Sequence, residues 1–138
     1  MYDPFLGKWK LNPENSQFDA NHRPKAGTMT FEINPEGHYV MKAEGIKENG
    51  ETVAERPAIL IPDGQPHPLP DFHGLTAITS RPDPHTLTAE CRREDGSVVG
   101  GGSYVISNDG QSLTATNFGF DSQLRQFEQR TVWDRQSE

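Results

Sequence analysis

From Thr28 onward, apolar side chains fall at every second position, and turn residues break the pattern at short intervals. Met29, Phe31 and Ile33 alternate with Thr28, Thr30 and Glu32; Tyr39, Met41 and Ala43 alternate with Lys42 and Glu44. The same beat returns in Leu87, Ala89 and Cys91, in Leu113, Ala115 and Asn117, and in a closing stretch with Phe127 and Trp133. Successive side chains of a strand point to opposite faces, so this beat describes strands with one buried face. Asn34-Pro35-Glu36-Gly37, Asn49-Gly50, Asp63-Gly64, Asp95-Gly96 and Asp109-Gly110 supply the tight turns. No stretch carries a clear 3.6-residue period, although residues 14–27 leave room for a short helical turn limited by Pro24 and Gly27.

About nine strands joined mostly by hairpins make a meander. A meander of that length removes its edges by closing on itself. The expected fold is therefore all-β, an antiparallel up-and-down β-barrel of about 8–10 strands. The 138 residues make one domain, 1–138. A sandwich is the alternative, and it needs longer crossing connections than this chain offers. Thr52–Ile61 reads as one strand, and Leu75–Ser80 as a short one ended by Arg81-Pro82-Asp83-Pro84. Residues 63–74, with three prolines and two histidines, read as a loop or a sheet edge.

Charge and cysteine content exclude several functions. A net charge of −7 repels phosphate backbones, which argues against nucleic acid as a partner. No apolar run reaches the length of a membrane span. Met1-Tyr2-Asp3-Pro4-Phe5 has neither the basic nor the long apolar part of a signal peptide. Cys91 is the one cysteine, so an internal disulfide is impossible. Together these favour a soluble, cytoplasmic protein.

Gly7-Lys8-Trp9 opens the first strand of this meander. A Gly-x-Trp in that position resembles the lipocalin and fatty-acid-binding superfamily, the calycins. The longer run from Gly7 through Asn12-Pro13 to Phe18, with Asp63-Gly64-Gln65, His67-Pro68 and the closing Val132-Trp133-Asp134-Arg135-Gln136, is similar to bacterial lipocalin-like proteins of unassigned function. The resemblance implies that Trp9 closes one end of the barrel and that a late arginine packs over its ring. Arg130 and Arg135 are the candidates; Arg130 is preferred because it lies within the last strand. Gly7, Trp9 and Arg130 thus form the expected barrel closure. The resemblance implies a fold and no chemistry, and the absence of an obvious C-terminal helix departs from true lipocalins.

The expected inward face is rich in small residues: Ala43, Ala77, Ala89, Cys91, Gly100, Gly102, Ala115 and Gly119. A barrel lined this way is either tightly coiled and solid or hollow. If hollow, it binds a small apolar or amphipathic ligand, with Phe31, Tyr39, Met41, Ile59, Cys91, Tyr104, Asn117, Phe127 and Gln129 as lining residues. A small barrel enzyme, an isomerase or hydrolase using Tyr104, His67 or His73, is one alternative. A homodimerising module using Phe118 and Phe120 on the outer face is another.

No cofactor signature is present. His67, Asp71 and His73 lack a metal-site spacing, so no metal site is assigned. Cys91 sits on an apolar strand face and reads as an inert thiol. Gly100-Gly101-Gly102 has no helix after it and reads as a bend or bulge, not a phosphate cradle.

Overall fold

A computed structural model describes residues 3–17, 24–47, 49–54, 58–69, 74–120 and 126–136, without the side chains of Pro24, Phe120 and Phe127. Among these residues there are eleven strands and no helix: β1 (Gly7–Gln17), β2 (Pro24–Ile33), β3 (Tyr39–Lys47), β4 (Thr52–Ala54), β5 (Ala58–Leu60), β6 (Pro66–Pro68), β7 (Leu75–Asp83), β8 (Thr86–Arg93), β9 (Val98–Ile106), β10 (Ser112–Phe120) and β11 (Gln126–Arg135). No helix among them is long and apolar enough to cross a membrane.

Every ladder is antiparallel, and the strands follow the order β4-β3-β2-β1-β11-β10-β9-β8-β7-β6, with β5 also on β3. The first and last long strands are neighbours, so the meander rolls up as an up-and-down barrel. Its turns follow the local chemistry. Gly64, Gly96 and Gly110 take positive φ angles of 74°, 88° and 74°. The aspartate before each accepts a hydrogen bond from the backbone N–H two residues on, at 2.9, 2.8 and 3.0 Å for Asp63, Asp95 and Asp109.

Several boundaries differ from the sequence expectation. Thr52–Ile61 is not one strand: β4 and β5 pair separately with β3. The residues between them, 55–57, lie outside the described set and include Pro57, which has no N–H for a ladder. β7 runs past Ser80 to Asp83 through a register shift. Pro66–Pro68 forms β6 at the sheet edge, where missing N–H donors cost least. Residues 14–17 and 24–27 are strand rather than helical turn, and 18–23 lie outside the described residues.

The core gathers at the end where β1 begins and β11 stops. Phe5, Trp9, Met29, Phe31, Tyr39, Leu87, Ile106, Leu113 and Ala115 form one buried cluster. The aromatic rings meet edge to face, Phe5 on Phe31 at 5.7 Å and Phe31 on Tyr104 at 6.1 Å between centroids. The Phe31–Tyr104 contact joins β2 to β9 across the interior. The bottom is thus solid.

Trp9 is fully buried, and its Nε1 donates to the Phe5 carbonyl at 3.2 Å. The arginine over its ring is Arg135, not Arg130, with the guanidinium carbon 4.2 Å from the ring centroid. The register explains the correction. Arg135 is the direct partner of Trp9, whereas Arg130 lies opposite Gln17 and Thr116 and is exposed. Residues 130 and 135 differ by an odd number of positions, so they point to opposite faces of β11. Arg135 also donates to the carbonyls of Gly110 at 2.7 Å, Leu6 at 2.9 Å, and Pro4.

Arg135→Ala should therefore lower unfolding stability in urea by roughly 2–4 kcal/mol, from the lost stacking and charge-assisted bonds. Arg130→Ala should stay within about 0.5 kcal/mol of the parent. Equal effects of the two variants would contradict the stacking of Arg135 on Trp9.

Candidate functional site

The interior divides along the barrel axis. Near Trp9 it is filled, and Asp3, Tyr39 and Arg81 form a polar knot under the rings. The Tyr39 hydroxyl donates to Asp3, and the Arg81 guanidinium donates to Tyr39 Oη at 2.5 Å and to Asp3 Oδ2 at 3.2 Å. Arg81 also lies over the Phe5 ring at 5.6 Å and the Tyr39 ring at 5.8 Å. The N-terminal segment thus carries the counter-charge of a β7 arginine and binds β3 to β7 at that end. Burial, aided by the neighbouring Asp3 carboxylate, pushes Tyr39 up to about 12.

Toward the opposite end the inward positions are small, and their exposure changes. Ala43, Leu75, Ala77, Cys91 and Asn117 point inward by register yet are only half-buried. Leu87, Leu113 and Ala115, nearer Trp9 on the same strands, are buried. Inward-facing side chains that keep partial exposure show that packing is looser toward this end.

Three glycines of β9 keep the wall close. A Cβ on Gly100 would lie 3.2 Å from the Phe118 carbonyl oxygen, and one on Gly101 2.5 Å from that of Ala89. One on Gly102 would run into the Thr116 carbonyl and the Asn117 amide. The glycine run is therefore required by neighbouring backbones, as a bend in a coiled wall demands.

The expected lining residues separate into groups. Phe31 and Tyr39, 1% and 3% exposed, belong to the packed floor. Met41 and Tyr104 pack against the edge of that cluster. Cys91, Asn117 and Gln129 are half-buried in the upper wall. Phe127 pairs with Gly119 in β11, and its side chain is outside the described set. Ile59 is a correction. It pairs with Val40, opposite in parity to Tyr39 and Met41, and is 50% exposed on the outside, while Leu60 packs against the core. The register of β5 is set by its own ladder to β3, which an unbroken strand from Thr52 concealed.

Gln129 is the most informative polar group in the wall. Its Oε1 is buried without a hydrogen-bond partner among the described residues. An unmet buried acceptor is costly, so it marks a place where a donor is missing. Cys91 is pushed up by burial, which keeps the thiol protonated and unreactive. His67 bonds Asp63 at 3.0 Å on the surface, and Asp71 and His73 lie outside the described residues. Among the described residues no group of three or more His, Cys, Asp or Glu is placed to hold a metal ion.

The barrel also carries a groove of about 470 Å³ on its outer face, lined by residues of β7 to β10 that include Glu90, Arg92, Ser103 and Phe118. The alternation of β8 and β9 would not single it out. Gly102 is among its lining residues, beside Ala89 and Thr116.

No protein-family model matches the chain, and no curated protein matches it. Solved structures do. The fluorescent protein UnaG superimposes with a TM-score of 0.63 at 12% identity, covering 99% of this chain and 100% of that one. Zebrafish ileal bile acid-binding protein, solved with cholic acid, gives 0.54 at 13% identity, covering 96% and 99%. As-p18, an extracellular fatty acid binding protein, gives 0.53 at 16%, covering 97% of each chain. The chain shares the up-and-down β-barrel fold of these proteins.

The Tyr39 knot has a pH signature. Its folded value near 12 exceeds the ordinary 10, so the neutral phenol is favoured by folding. That stability is present below pH 10 and is lost as pH rises toward 12, by about 2–3 kcal/mol. Urea unfolding across this window should show the loss, and Tyr39→Phe should remove that component. A parent protein whose stability stays flat from pH 10 to 12 would contradict the assignment.

Proposed function

We propose that the upper interior binds one small apolar or amphipathic molecule. The observation that carries this reading is the half-exposure of inward-facing Leu75, Ala77, Cys91 and Asn117 above a floor that is fully packed. A lumen with apolar walls and a few polar groups suits such a ligand. A turn of the Gln129 side chain would bring its buried Oε1 to accept an N–H or O–H from it, and the Asn117 amide would supply a further polar contact. The two arginines that face the interior near the floor are engaged, Arg81 by Asp3 and Tyr39, and Arg135 by backbone carbonyls. The group of the ligand that meets Gln129 Oε1 is a hydrogen-bond donor. Fold neighbours that bind cholic acid or fatty acids are consistent with carriage of a small molecule in such a barrel. Grouping the chain with bacterial lipocalin-like binders belongs to the same proposal and rests on the Gly7–Pro13 opening.

Binding is favoured over catalysis because the interior groups with displaced titration move the wrong way. Tyr39 and Cys91 are both pushed up, away from the neutral range in which an acid–base catalyst works.

Tryptophan fluorescence during titration with retinoids, fatty acids and haem tests the reading, since Trp9 and Trp133 both face the interior. At least one ligand should give a saturable response. Ala77→Phe, which fills the space opposite Cys91, should weaken that ligand by about tenfold or more while the circular dichroism is unchanged. Gln129→Leu should weaken ligands with a donor group more than pure hydrocarbons. No saturable response in the parent, or an Ala77→Phe protein that binds as well as the parent, would refute the lumen.

A further inference from the structure

The outer groove has its own chemistry, separate from the lumen. Register aligns two transverse rows of outward residues. One runs Ser80, Thr88, Ser103 and Thr116, each the direct partner of the next. The other runs Ile78, Glu90, Gly101 and Phe118 in the same way. Neighbouring strands are about 4.8 Å apart, so the first row is a line of four hydroxyls at that spacing.

None of these four side chains makes a hydrogen bond within the described structure, and all are half-buried. A solvated strand face commonly carries hydroxyls. Three further observations set this one apart. Gly101 carries no side chain in the second row, and the Phe118 ring packs over it, with Cε1 and Cζ each 3.2 Å from where a Cβ would be. Phe118 keeps 36% of its surface exposed. On the other side of Gly101, Glu90 Oε2 accepts two bonds from Arg92, from Nε at 3.0 Å and Nη2 at 2.6 Å. That geometry leaves Glu90 Oε1 and Arg92 Nη1 for another partner.

We propose that this groove binds a free neutral sugar ring. An aromatic face is electron-rich and attracts the weakly positive C–H groups on one side of a pyranose. The equatorial hydroxyls of such a ring both donate and accept, which matches a carboxylate beside a guanidinium better than it matches either charge alone. The hydroxyl row supplies further neutral partners along the groove. At about 470 Å³ the space lies in the range of small-ligand sites. The paired charges of Glu90 and Arg92 cancel, so the groove offers no net attraction to a charged ligand.

Amide NMR of the full chain, titrated with the methyl glycosides of glucose, galactose, mannose and N-acetylglucosamine, decides the matter, with glycerol as the acyclic control. At least one glycoside should shift the Gly101, Ser103 and Phe118 amides saturably, and glycerol should not. Phe118→Ala should weaken that glycoside by roughly tenfold or more, and Phe118→Tyr should hold it within about threefold. Glu90→Gln should weaken it as well, without altering ligand responses of Trp9 and Trp133. No saturable shift with any of the four, or equal binding by Phe118→Ala, would overturn the proposal. So would shifts of the same amides that depend on protein concentration in sugar-free samples, which would assign the groove to a second copy of the chain.

Discussion

One side chain holds the ends of this molecule together. Arg135, in the last strand, stacks on Trp9 in the first and donates to carbonyls of Pro4, Leu6 and Gly110. A meander has two loose ends by construction, and a barrel exists only if they meet. The β1–β11 ladder brings them together, and the stacked guanidinium adds a contact that only the correct register permits. The N-terminal segment is fixed by the same group, which lets Phe5 and Asp3 reach under the barrel and fill its base.

That base sets the character of the interior. Edge-to-face rings and the Asp3–Tyr39–Arg81 knot make one end dense and dry. Bulk is concentrated there: Phe5, Trp9, Phe31 and Tyr39 lie in one cluster, while the wall beyond carries alanine, glycine, cysteine and amides. The looser packing beyond the floor then follows from where the large side chains were placed, since close packing depends on bulk that reaches each part of the interior. The glycine run of β9 contributes on both faces. It lets β8 and β10 approach, and it lets the Phe118 ring pack over Gly101 on the outside.

Much of the fold was legible in residue order. Alternation around Met29–Phe31, Leu87–Cys91 and Leu113–Asn117 gave the strands, and Asp95-Gly96 and Asp109-Gly110 marked the β8–β9 and β9–β10 hairpins, whereas Asp63-Gly64 turns the chain between β5 and β6, which pair with other strands. Less of the site was legible. Cys91, Asn117 and Gln129 could be assigned an inward face from parity, but the orphan acceptor on Gln129 depends on what stands beside it in three dimensions. Ile59 was misassigned because parity carries over only along an unbroken strand, and β5 takes its register from β3. The preference for Arg130 failed for a related reason. Being within a strand says nothing about facing Trp9, whereas counting positions from Trp133 would have put Arg135 on the tryptophan's side.

Sequence by itself determined that this chain forms antiparallel strands linked by tight turns, because side-chain period and turn chemistry are local properties of the backbone. It also determined that most bulk would sit on one face of those strands. Only the tertiary structure decided which arginine covers Trp9, where the interior is full and where it is open, and that a groove forms outside. Those outcomes depend on register and on the coiling of the whole sheet, and a residue's partner across a ladder is set by strands far away in the chain.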